Sequence, residues 1–199
     1  MPASESTLPV RDPFAAACRV RRSRITWLLR IGCALAAGVC APAAIAKPAC
    51  AELESTGKEL VAARDSNPTA ALERGEQVLA GLTLRAGECA VGNATLLGAV
   101  ASNLNVLGRN EEAVQRYEQA IASLGDAGTP AQVAFLHRGL GVALAELELF
   151  ERALGHYLTA LSASDAAGEQ VESAKTAGNM GILYTTLGEF DKAREYQAR

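Results

Sequence analysis

The only two histidines in this 199-residue chain are His137 and His156. Imidazoles move protons near neutral pH and ligate transition metals, so chemistry would first be sought there. They fall on two different predicted helices and lack the short spacing that usually puts two ligands on one metal. Packing or solvated roles account for both. The acidic pairs Glu111-Glu112 and Glu146/Glu148 carry no signature of an acid and a base flanking a scissile bond, and they read as solvated helix faces. No H-E-x-x-H, G-x-S-x-G or phosphate-loop pattern occurs. These residues point to a non-catalytic chain without cofactor or resident metal. An extracytoplasmic enzyme or metal-binding protein built on His137 and His156 is the alternative.

The segments that would have to position such groups divide sharply by charge. Of the 19 basic and 22 acidic residues, six arginines (Arg11, Arg19, Arg21, Arg22, Arg24, Arg30) and two acids (Glu5, Asp12) fall in residues 1–46, which leaves 13 against 20 and a net charge of −7 for residues 47–199. The arginines precede IGCALAAGVCAPAAIA, uncharged from Ile31 to Ala46 and closed by Ala44-Ile45-Ala46. A basic region, a short apolar run and a small-x-small site make a secretory signal peptide, with Lys47 as the new N-terminus. The expected location is periplasmic or secreted. An uncleaved inner-membrane anchor is the alternative, but the run is short for a span of about 20 apolar residues, and Pro42 interrupts it. The acidic remainder has no basic patch with interleaved aromatics, which argues against nucleic acid as a partner. Alanine and leucine dominate it and runs of β-branched residues are missing, so an all-α fold is expected.

The helices repeat. AVASNLNVLGRNEEAVQRYEQA (Ala99–Ala120), GLGVALAELELFERALGHYLTA (Gly139–Ala160) and NMGILYTTLGEFDKAREYQAR (Asn179–Arg199, the best-preserved copy, preceded by Gly178) align in steps of 40 residues without gaps. Small residues coincide at Ala101, Gly141 and Gly181 and at Ala113, Ala153 and Ala193. Large apolar residues coincide at Leu104, Leu144 and Tyr184 and at Leu107, Leu147 and Leu187. Tyr117 and Tyr157 agree, and the third copy shifts its aromatic to Tyr196. Each copy reads as two amphipathic helices joined by a tight turn. Gly108 and Gly188 supply a left-handed terminator, and Glu148 stands between them. Two antiparallel helices approach to about 8–10 Å only where one presents Gly or Ala to the other, which gives the small positions a steric task.

This pattern resembles the tetratricopeptide repeat (TPR). The Leu-Gly, Tyr, turn-glycine, aromatic and Ala positions of that family map onto Met180, Gly181, Tyr184, Gly188, Phe190 and Ala193. In the middle copy they map onto Leu140, Gly141, Leu144, Phe150, Ala153, Tyr157 and Ala160. The period is 40 rather than the common 34, with the extra residues in GDAGTPAQ and SDAAGEQ, and the first copy departs at Ala101 and Asn110. The resemblance implies a TPR-like α-solenoid of antiparallel helix pairs winding as a right-handed superhelix. Residues 1–46 would be the signal peptide, 47–91 a degenerate N-terminal pair (helices about Cys50–Arg64 and Pro68–Leu82, capped by Asn67), and 92–199 three repeats, the last incomplete. Ending at Arg199, its second helix would leave an apolar edge exposed. That layout suggests a piece of a longer chain, or a scaffold that self-assembles through the open edge. An exported array of this kind is similar to the sensor region of bacterial GGDEF-type diguanylate cyclases and some histidine kinases, an analogy of layout alone.

In TPR proteins the first helix of each repeat lines a concave face that binds a protein or peptide. The resemblance assigns to that face Thr95, Gly98, Ser102, Asn105 and Val106; Phe135, Arg138, Val142, Ala145 and Glu146; and Lys175, Gly178, Ile182, Thr185 and Thr186. Asn179 stands where some members use Asn to bond an extended peptide backbone. A peptide carboxylate held by Arg138 and Lys175 is one reading, and two ordinary exposed charges is the other. Membrane contact would come only through an uncleaved N-terminal segment or a downstream span. Because first helices of successive repeats run parallel, Cys50 and Cys89 would share one end of the stack and could form a disulfide in an oxidising compartment. Two unrelated thiols is the alternative.

Overall fold

Each 40-residue copy folds as the helix pair that its alternation of small and large residues requires. The computed structural model describes residues 50–85 and 87–199. The signal peptide expected over residues 1–46 lies outside them. Among the described residues, eight α-helices and one 3-10 turn (Gly125–Ala127) follow in order: α1 Cys50–Ala63, α2 Pro68–Gly81, α3 Ala90–Val106, α4 Asn110–Leu124, α5 Pro130–Glu146, α6 Phe150–Ala167, α7 Gln170–Thr186 and α8 Phe190–Gln197. There are no strands among the described residues, and no helix there is long and apolar enough to cross a membrane.

Helix ends follow local chemistry. The Asn67 side chain accepts from the Ala70 amide at 3.1 Å, with Pro68 opening α2. Thr129 and Gln132 cap α5 reciprocally, ahead of Pro130 at its first position. The turns after α3, α5 and α7 are the same motif three times over. Arg109, Leu149 and Glu189 each donate a backbone N–H to the carbonyl five residues earlier (Leu104, Leu144, Tyr184) at 2.9 Å. The residue before each donor is left-handed, with φ of 72° at Gly108, 59° at Glu148 and 76° at Gly188. Only Glu148 carries a Cβ there, which the left-handed region disfavours. Glu148→Gly is therefore expected to stabilise the protein by about 0.5–1 kcal/mol, read as a higher urea midpoint.

Within each pair, small residues face large ones. A Cβ on Gly141 would lie 2.6 Å from the Tyr157 ring, so the ring packs flat on the bare helix backbone. Ala101, Ala113, Ala120, Ala143 and Ala153 are fully buried in the same core, which also holds Leu104, Leu140, Leu144, Tyr117 and Met180. In the last pair, Gln197 takes the place of the tyrosine, its Cγ 2.7 Å from where a Gly181 Cβ would be. Tyr196 turns instead onto Tyr184, with centroids 5.4 Å apart and the rings stacked. The one-residue shift thus moves the aromatic from the glycine to the neighbouring aromatic. Leu187, expected on the apolar face, is 43% exposed because it forms the C-cap of α7.

The first helices α1, α3, α5 and α7 pack successively on one another, while the backbones of α2, α4, α6 and α8 stay out of mutual contact. Long side chains bridge the wider outer row: Arg116 reaches Glu76 at 3.0 Å and Arg152 reaches Glu118 at 3.1 Å. The closer row is the concave side.

The N-terminal pair departs from the repeat geometry. Helix α1 packs chiefly along α3 rather than on α2. Gly57 permits this, since a Cβ there would lie 2.8 Å from the Thr95 carbonyl carbon. At the far end, Asn103 Nδ2 donates to the Leu60 carbonyl at 3.3 Å and Arg64 Nη1 to Ser102 Oγ at 3.3 Å. Leu53, Leu60, Ala71, Leu96 and Ala99 form a separate small core beneath this contact.

Candidate functional site

Three depressions run along the concave row and share residues, forming one groove. The first, about 280 Å3, is apolar: Val61, Ala94, Leu124, Phe135 and Leu136 line it, with Lys58, Thr95 and Gln132 at the rim. The second, about 440 Å3, begins at Phe135 and is polar, with Arg64, Ser102, Asn105, Val106, Asn110, Tyr117, Arg138, Val142 and Glu146. The third, about 360 Å3, begins at Val142 and Glu146 and continues over Ala145, Phe150, Asn179, Ile182 and Thr186.

The middle depression has unused hydrogen-bonding capacity. Asn105 Nδ2 donates to the Gly139 carbonyl at 3.2 Å, which fixes the amide, while its Oδ1 is buried without a partner. Asn110 Oδ1 is also buried and unpartnered. A buried acceptor left unmade costs about 1–3 kcal/mol, so both oxygens favour an incoming donor such as a peptide N–H. Burial pushes the Tyr117 phenol up to about 12, against a hydrogen bond with Ser102, and keeps it neutral. Burial, and then Glu146, raises Tyr157 as well.

Arg138 and Lys175, which on one of the two readings hold a peptide carboxylate, are already engaged. Arg138 meets Glu172 at 2.9 Å and Lys175 meets the same carboxylate at 2.6 Å. Burial works against ionisation of Glu172, but Lys175 and Arg138 prevail and hold its carboxyl below the usual range. An incoming carboxylate would have to displace Glu172. Arg138 lines the middle depression, whereas Lys175 lines none of the three. Ser102, Asn105, Phe135, Arg138, Val142, Asn179 and Ile182 all do. Sequence reasoning missed Arg64, Asn110, Tyr117 and Glu172. Asn110 did signal itself, standing where the other copies carry Phe150 and Phe190. Arg64 could not, because its place depends on α1 lying along α3.

Two further juxtapositions lie off the groove. The sulfurs of Cys50 and Cys89 are bonded, with Cα atoms 4.9 Å apart, at the N-terminal ends of α1 and α3. His137 on α5 and His156 on α6, kept apart by sequence reasoning, meet with Nδ1 atoms 2.9 Å apart. Burial, then the neighbouring His156, pushes His137 below the ordinary histidine value. Burial, then Arg152, does the same to His156 against the pull of Glu118. Among the described residues no three His, Cys, Asp or Glu side chains converge as a metal cluster.

Comparison with known proteins places this geometry. The family model described as tetratricopeptide repeat matches residues 132–199. No curated protein matches the chain. Among solved structures, the crystal structure of BtubC (BKLC) from P. vanneervenii is similar in fold, with 22% identity and a TM-score of 0.59 over 73% of this chain and 61% of that one. The chain thus spans about three fifths of that structure's length. Helical repeats of this family are protein-binding modules, and residues 132–199, about a third of the chain, are similar to the tetratricopeptide repeat.

Proposed function

We propose that this chain is a non-catalytic docking module that holds an extended protein or peptide segment along its concave groove. The observation that carries this reading is the middle depression, where the buried Asn105 and Asn110 oxygens lack donors of the kind that a peptide backbone N–H supplies. The apolar first depression and the exposed Ile182 of the third suit side chains projecting from such a segment.

Random dodecapeptides displayed on phage, panned against the protein and then measured singly by fluorescence anisotropy, test the proposal. Val142→Glu and Ile182→Glu are each expected to weaken the selected peptides by roughly tenfold or more. Leu158→Glu, on the exposed side of α6, should leave them unchanged. Equal loss in all three variants, or selected peptides indifferent to the groove substitutions, would overturn it.

Export is part of the same proposal. It is supported by the basic and apolar character of residues 1–46 and by a disulfide, which persists in oxidising compartments. A sensory role ahead of a signalling domain is the elaboration we favour, resting on the order of leader and repeats.

A further inference from the structure

The His137–His156 pair lies at the crossing of α5 and α6, away from the groove residues. Its nitrogens face one another at 2.9 Å across rings tilted by 37°. One Nδ1 must carry a proton and donate while the other accepts. Both rings are half-buried, so the backbones of two packed helices fix them while solvent still reaches the pair. We propose that His137 and His156 form a two-imidazole site for a divalent transition-metal ion of tetragonal preference, copper(II) foremost and nickel(II) next.

The spacing favours that geometry. Ligand nitrogens at about 2.0–2.1 Å from a metal stand about 2.9 Å apart at a right angle and about 3.3 Å apart at a tetrahedral angle. The observed separation matches the first, the cis arrangement of square-planar and tetragonal sites. The ion would sit off the line between the nitrogens, reached by a modest turn of each ring about its Cβ–Cγ bond. The shared proton moves to Nε2 of its own ring, leaving both Nδ1 lone pairs on the metal with no net proton released from the neutral pair. Glu118 and Arg152 flank the pair and join each other at 3.1 Å, so their charges largely offset. With no third side-chain ligand converging among the described residues, water completes the coordination and binding is moderate. Magnesium and calcium, which prefer oxygen ligands, are excluded.

The test uses the full chain without a histidine tag, its free thiols alkylated, titrated with copper(II) chloride against glycine as a weak competitor. Because the chain has only two histidines, electron paramagnetic resonance of the unsubstituted protein identifies the ligands. The expected spectrum is tetragonal copper coupled to two imidazole nitrogens, one ion per chain and independent of protein concentration. His137→Asn and His156→Asn should each reduce affinity at least tenfold and leave single-nitrogen coupling, with helicity followed by circular dichroism. Coupling to one nitrogen or none in the unsubstituted protein would overturn the proposal. So would a two-nitrogen signal that appears only on dimerisation.

Discussion

Tyr157→Ala is expected to lower the unfolding free energy by about 3–5 kcal/mol, the usual range for removing a buried aromatic ring. Tyr157 is 2% exposed and lies against Gly141, where a Cβ would approach its ring to 2.6 Å. The ring fills the space created by a bare stretch of α5 and cannot be replaced by collapse of the neighbouring helices. A double-mutant cycle sharpens the expectation. Gly141→Ala alone should destabilise, although alanine favours a helix over glycine by about 1 kcal/mol, because the new methyl meets the ring. In the Tyr157→Ala background the same change should become neutral or stabilising. Urea denaturation of the four proteins reads the coupling. Equal cost of Gly141→Ala in both backgrounds would show that the ring does not set the closeness of α5 and α6.

Breaking the Cys50–Cys89 bond should be the other large effect. The two residues are 39 apart in sequence, and a loop of that length contributes roughly 4 kcal/mol on the chain-entropy model. The loss should concentrate in α1, which α3 holds by the bond at one end and by the Asn103–Leu60 and Arg64–Ser102 contacts at the other. Reduction, or the paired Cys50→Ser and Cys89→Ser substitutions, should lower the urea midpoint. It should also speed amide exchange in α1 far more than in α5 or α6. An unchanged midpoint with uniform exchange would mean that the helix contacts alone fix α1. Arg64 lines the groove from the end of α1, so reduction should also disturb peptide docking at that end.

The repeats were legible because their signals are local and recur. Three glycine or alanine crossings at a 40-residue step, matching turns and Asn67-Pro68 all report backbone constraints acting within a few residues of themselves. The α2 boundaries and the left-handed turns at Gly108 and Gly188 followed from such signals alone. The third repeat's aromatic shift was visible, but its meaning was not, since Tyr196 finds its partner Tyr184 across a helix pair. The groove lining was read in outline from the family resemblance. Its electrostatics were not, because Glu172 reaches Arg138 from the next helix of the row and removes the open cation that sequence suggested.

By itself, then, the sequence determined helices, turns, the period and the antiparallel pairing, since these depend on residue size and backbone conformation over one or two turns of helix. Only the tertiary structure decided three things: that α1 lies along α3, that Arg138 and Lys175 converge on one carboxylate, and that two distant histidines touch. Each depends on where long or flat side chains meet across crossing helices. A shift of a few ångströms in helix packing would make or break such contacts while leaving the local pattern of residues unchanged.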